Sequence, residues 1–167
     1  MQFRLGEPAV PEERFRRSLD FILGRTILCS VSTVGPSGAA YVNTAYFAYS
    51  PELELYFMSD PLSHHARNLR RNPSCAVAVY DSHLSWGKAD RGVQLFGRCS
   101  EAKAGVVLKA TEAYSQRFPR FKAWGEGLAP DATARRWKFF EFVPSFVKIL
   151  DEVTFKDRGF VTASVIR

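Results

Sequence analysis

The stretch Tyr41-Val42-Asn43-Thr44-Ala45-Tyr46-Phe47, followed by Leu55-Tyr56-Phe57-Met58-Ser59 and then Asp60-Pro61-Leu62-Ser63-His64-His65-Ala66-Arg67-Asn68-Leu69, decides how the chain is read. The first two pieces are β-branched and aromatic, as strands are. Ala40 to Tyr49 reads as a strand, and Ser50-Pro51-Glu52 as a turn. In the next segment Leu53, Leu55 and Phe57 alternate with Glu54, Tyr56 and Met58, which predicts a half-buried strand. Ser63 then stands where a helix N-cap belongs, and Asn72-Pro73 stops that helix near Arg71.

Upstream, Pro11-Glu12-Glu13 suits a helix start, and Phe15, Leu19, Ile22 and Leu23 recur at helical spacing until Gly24. Thr26 to Val34 reads as a strand. The turn Gly35-Pro36-Ser37-Gly38 makes it a hairpin with Ala40 to Tyr49. Downstream, Cys75 to Tyr80 and Gly92 to Cys99 read as strands around a loop at Asp81 to Asp90. Ala104 to Phe118 reads as a helix and Pro119 to Asp131 as irregular. Trp137 to Leu150 is β with a break at Pro144. Val153-Thr154-Phe155 and Phe160 to Ile166 close the chain as β segments. Strands in succession with a few helices between them argue for an α+β fold with a mainly antiparallel sheet of six or seven strands. The apolar load would close that sheet into a barrel.

The totals agree with this reading. At 167 residues the chain suits one domain. It is 46% hydrophobic and 24% charged, an ordinary globular composition, but 14 Phe ask for a large core or an apolar interface. No apolar run approaches the roughly 20 residues of a membrane span. Residues 1–7 lack a signal-peptide core, so the expected place is the cytoplasm. Cys29, Cys75 and Cys99 lie apart in apolar segments without metal-ligand spacing, and read as buried thiols. The net charge of +6 is spread over clusters mixed with apolar residues, and no nucleic-acid motif appears.

The order of these segments, continued by Asn72-Pro73-Ser74-Cys75-Ala76-Val77-Ala78-Val79, Arg91-Gly92-Val93-Gln94-Leu95-Phe96-Gly97 and Tyr114-Ser115-Gln116-Arg117-Phe118-Pro119, resembles the pyridoxamine-5′-phosphate-oxidase-like family of FMN-binding split barrels. The resemblance covers roughly residues 20–167 and is nearest to a small bacterial branch. It implies a split β-barrel with peripheral helices over residues 1–167, residues 1–25 being a helical segment packed on it. It also implies a homodimer with FMN at the subunit interface.

On that resemblance, Ser59, Ser63, His64 and His65 match the phosphate clamp. A strand end feeding a helix start offers unpaired N–H groups and a favourable dipole there. The family often has arginine and lysine where this chain has His64 and His65, and Arg67 or Arg70 would compensate. Asn43, Thr44 and Ala45 match the strand that meets the polar edge of the ring, and Gln94 a flavin-contacting glutamine. Each has a plain reading too: Ser63 as a helix cap, the histidines as a solvated helix start, Asn43 as a bulge, and Gln94 as an outward polar residue. Trp86 and Trp124 lie in loops and read as interface packing or a cover over a ring.

The sequence names no catalytic residue. It has no Ser-His-Asp set, paired carboxylates or P-loop. The implied activity is a flavin-dependent oxidoreductase acting on a small molecule. Haem, deazaflavin or binding without turnover are the other options that such a barrel hosts. Pyridoxamine-phosphate oxidase activity itself is not expected, because Phe155 to Arg167 contains no Trp and only Arg158 and Arg167.

Overall fold

The computed structural model describes residues 1–7, 10–127 and 136–167. Eight strands form one antiparallel sheet: β1 (Gln2–Leu5), β2 (Leu28–Val34), β3 (Ala40–Tyr49), β4 (Leu55–Ser59), β5 (Ser74–Tyr80), β6 (Arg91–Glu101), β7 (Lys138–Asp151) and β8 (Phe160–Ile166). Their order is β1-β8-β7-β4-β3-β2-β5-β6, and β6 returns to β7. Six strands, β2 to β7, therefore close a barrel, with β8 and β1 added beside β7. The expected α+β split barrel is present.

β7 is shared between two ladders. One edge of this strand pairs with β6 from Phe140 to Asp151. The other edge pairs with β4 through Lys138 to Phe142 and with β8 through Phe146 to Leu150. Pro144 stands between the two ladders, where its missing N–H breaks no pair. The register against β6 shifts between Phe96 and Gly97, leaving Ser145 as the extra residue of a bulge. The Ser145 hydroxyl donates to the Phe96 carbonyl at 3.2 Å. A Cβ at Gly97 would lie 2.1 Å from the Val143 carbonyl oxygen and 2.7 Å from Pro144 Cα, so only glycine fits.

Side chains pointing inward make one core, including Phe15, Val31, Phe47, Leu55, Phe57, Leu95, Phe140, Phe142 and Ile149. Phe57 and Phe140, directly paired across β4 and β7, stack at 5.4 Å. Helix α1 (Glu12–Arg25) covers one end of the barrel. There Ser18 donates to the buried Asp151 carboxylate at 2.7 Å, and Arg91 donates to it at 3.0 Å. Helix α2 (His64–Arg71) covers the other end, burying Ala66, Asn68 and Leu69. Helix α3 (Ala104–Arg117) lies outside, over β3, β4 and β7. It makes a second core from Ala48, Tyr56, Ala110, Tyr114 and Phe139. Arg117 ties it to the end of α1 by donating to the Leu23 and Thr26 carbonyls, each at 2.6 Å.

Several readings change. Tyr56 was expected on the solvated side of β4, but it is fully buried because α3 roofs that face. Residues 1–25 include β1 as well as a helix, and β1 pairs with β8. Val153-Thr154-Phe155 is not β: Glu152–Phe155 is one helical turn capped by Asp151. Part of the segment expected to be irregular is helix α4 (Phe121–Gly127). The rest of that reading, residues 128–131, lies outside the described residues. Trp86 is fully exposed. All three cysteines are buried free thiols, and burial pushes the Cys29 thiol up to about 12.

The bulge gives a direct test. Gly97→Ala should destabilise the protein by about 2–4 kcal/mol, since backbone must move to admit the methyl group. Urea unfolding measures this, and a cost under about 0.5 kcal/mol would show that β7 does not hold this geometry.

Candidate functional site

Strand β3 is ten residues long and β4 is five. Their ladder runs only from Phe47↔Phe57 to Tyr49↔Leu55. Residues 40–46 pair with β2 on one side and have no strand partner on the other among the described residues. An open cleft therefore separates this half of β3 from the end of β4 and the start of α2. Unpaired strand edges present N–H and C=O groups ready to bond.

Across the cleft stands a cluster of short polar side chains. Buried Ser59 ends β4, and Ser63 caps α2 by accepting from Ala66 N–H at 3.3 Å. His65 Nε2 hydrogen-bonds Ser59 Oγ at 2.6 Å and Ser63 Oγ at 3.1 Å. Burial lowers the His65 pKa below its ordinary value, with nearby Asp60 partly opposing this and His64 adding to it. The ring is therefore neutral near pH 7. The Ala66 N–H is taken by Ser63 Oγ and the Arg67 N–H by the Ser63 carbonyl, which leaves the His64 and His65 N–H groups at this helix start. His64 stacks on Tyr41 of β3 with ring centroids 4.3 Å apart, which bridges the two sides of the cleft.

Asn43 and Ala45 share the inward face of β3 with Tyr41, because their β2 partners Val31 and Cys29 are core residues. Asn43 Oδ1 is buried and has no hydrogen-bond partner among the described residues. Such an orphan acceptor costs on the order of 1–3 kcal/mol unless a ligand or water supplies a donor. Thr44 points the other way, toward the outer face of the sheet.

Seven of the eight residues singled out in the sequence thus border the split between β3 and β4. Gln94 does not. It is exposed on the outer face, and the row Thr44↔Ser30↔Ala78↔Gln94 puts three strand spacings, about 14 Å, between it and Thr44.

The structure adds two residues that the sequence reading missed. Lys138 is the register partner of Ser59, so a cation begins β7 beside the polar cluster. Arg136 ion-pairs with Asp60 and holds its carboxyl below the usual range, which offsets the one acid nearest the cluster. Arg67 donates to the Leu62 carbonyl at 2.7 Å, and Arg70 pairs with Glu101 at 3.5 Å. Among the described residues neither hydrogen-bonds Ser59, Ser63 or His65. No sequence spacing connects Lys138 to Ser59, because only the β4–β7 register does.

The donor set suits a flavin nucleotide. Two hydroxyls, an imidazole and a helix start are groups that hold a phosphate. A free strand edge and an unsatisfied amide oxygen are groups that meet the polar rim of a ring.

Comparison with known proteins agrees with the fold. The family described as pyridoxamine 5′-phosphate oxidase matches residues 16–138. No curated protein matched. A haem-binding protein from Mycobacterium smegmatis shares the fold with a TM-score of 0.70 at 14% identity; the match covers 94% of this chain but only 59% of that one. A haem storage protein from Vibrio cholerae gives 0.63 at 16% identity, covering 77% of this chain and 88% of that one. An FAD-binding protein from Mesorhizobium loti gives 0.60 at 21% identity, with coverage of 98% and 99%. At such identities the structural likeness carries the fold, and the profile match over residues 16–138 carries the kinship: the chain belongs to the pyridoxamine 5′-phosphate oxidase family.

Proposed function

We propose that this protein binds FMN in the cleft between β3 and α2, works as a homodimer with the cofactor at the subunit interface, and is an oxidoreductase acting on a small molecule. The convergence of Ser59, Ser63 and His65 at the start of α2 is the observation that carries the reading. The two hydroxyls and the first-turn amides would hold the phosphate, with Lys138 adding charge. The β3 edge at Asn43 to Ala45 would orient the ring. When bound, the flavin supplies hydride and electron transfer, which side chains do not. The residues of this chain bind, orient and exclude water.

The outer face of the sheet supports the dimer. Val42 is 72% exposed and Tyr46 58%, and Leu28, Tyr80, Phe96, Phe146 and Phe160 are also exposed there. A second copy would cover this apolar area, which is more than scattered surface residues account for. Gln94 lies on that face and would then serve a site across the interface. His65 Nε2 is committed to two hydroxyls, so of the histidine pair His64 is the one left to meet a haem iron.

Titration with FMN, followed by flavin fluorescence, should show saturable quenching near one FMN per chain. Ser59→Ala should weaken binding by about tenfold, the loss of one hydrogen bond to a charged group. Absence of quenching in the unmutated protein would end the flavin reading.

His65 also sets a pH response of the ligand-free protein. Its folded pKa is below the ordinary 6.5, so the unfolded chain binds more protons between the two values. Stability should therefore fall as pH drops through that window. The melting temperature should decline less between pH 7.5 and 5 in His65→Gln than in the unmutated protein. An equal decline in both would contradict the burial of a neutral ring.

A further inference from the structure

The loop between β5 and β6 turns at Ser85-Trp86-Gly87-Lys88. The Lys88 N–H donates to the Ser85 carbonyl at 3.1 Å, and Gly87 takes the positive φ of 83° that the third position of such a turn requires. Trp86 therefore stands at the corner of a hydrogen-bonded turn, yet its side chain is as exposed as in an unfolded chain. Beside α3 a groove of about 380 Å³ lies open, with Tyr46, Met58, Phe118, Phe121, Trp124 and Trp137 in an almost wholly apolar lining. Resting on the dimer read above, we propose that each copy seats its Trp86 in this groove of the other.

The sheet register sets groove and loop on one line. Tyr46 is level with Met58 on one side, because Phe47 pairs with Phe57, and it pairs with Leu28 on the other. The β2–β5 ladder includes Ser30↔Ala78, which brings Leu28 level with Tyr80. All four residues belong to the outer face. The groove lies at one end of this row, and the loop, which follows Tyr80, lies at the other. Between them Tyr46, Leu28 and Tyr80 are exposed, and they belong to the apolar face assigned to the dimer. A twofold axis running along β2 past Leu28 exchanges the two ends of the row. Each projecting loop then meets the other copy's hollow. An axis across the strands would set hollow against hollow.

The lining selects an indole as occupant. Phe121 stacks with Trp124 at 6.0 Å, and Tyr46 meets Phe118 edge-on at 5.9 Å, so the walls are rings. Another aromatic side chain packs on such walls by face or by edge. The Tyr114 hydroxyl donates to the Tyr46 carbonyl and asks nothing of an occupant. So little polar surface gives a polar molecule nothing to bond, whereas a buried Trp86 removes apolar area of both copies from water. A tryptophan desolvated in a partner's pocket is a common energetic centre of an interface. Charge agrees at the margin. Arg120 makes no ion pair among the described residues, and the loop carries Asp81 and Asp90 on either side of Trp86. Charges of opposite sign around an apolar centre are the usual rim of an interface.

The test is sedimentation equilibrium of dye-labelled protein, read as the dimer dissociation constant. Because the Trp86 side chain is fully exposed in the single chain, Trp86→Ala leaves the fold intact. It should weaken the dimer about thirtyfold or more, since the contact is lost twice. Trp124→Ala removes one wall of the groove and should also weaken the dimer. Once Trp86 is alanine, the same change at Trp124 should cost less than about threefold, because the two residues act as one contact. A smaller loss from Trp86→Ala, or losses from the two changes that simply add, overturns the seating and leaves the dimer standing. An unmutated protein that stays monomeric at every concentration overturns both.

Discussion

A ten-residue strand cannot be closed by a five-residue neighbour, and the rest of the candidate site follows from that mismatch. β4 ends at Ser59 because Asp60-Pro61 turns the chain into α2. β3 continues for seven residues beyond the shared ladder. Among the described residues the vacated edge is covered neither by another strand nor by α3, whose Tyr114 reaches the Tyr46 carbonyl. Instead α2 comes down beside it, held by its buried face and by the Asn68 amide, which donates to Thr33 Oγ1 at 3.2 Å. The result is a slot with a bare backbone edge on one side and a helix start on the other.

The barrel keeps that slot rigid from a distance. β7 is shared between β4 and β8 through the bulge at Ser145, and Arg167 spans the gap by donating to the Glu52 and Pro144 carbonyls. Because Ser59 and Lys138 are register partners, β7 also fixes where a positive charge begins. Catalytic and binding groups built on strands are placed more firmly than groups on free loops. Here only residues 60–63 of the cleft lie outside regular elements.

Much of this was legible in the sequence because it is local. The span of α2 follows from Ser63 and from Asn72-Pro73. The β2–β3 hairpin follows from the turn between Gly35 and Gly38. The placement of Gln94 opposite Val93 and Leu95 follows from alternation. What was not legible depends on contacts distant along the chain. β1 is a four-residue strand whose partner is some 160 residues away. Tyr56 looks solvent-facing until α3 roofs it. Phe121–Gly127 contains two glycines and reads as a poor helix former. Lys138 joins the site only through the β4–β7 register. The sequence pointed to a clamp weakened by His64 and His65. The structure places a lysine beside it from another strand.

The most direct test of the slot is hydrogen–deuterium exchange of the backbone amides with and without FMN. If the cofactor completes the β3 edge and the α2 start, exchange should slow over residues 40–46 and 59–66 and stay unchanged over the β4-paired residues 47–49. Unchanged exchange over residues 40–46 in protein saturated with FMN would contradict the account, because the ligand would then lie elsewhere.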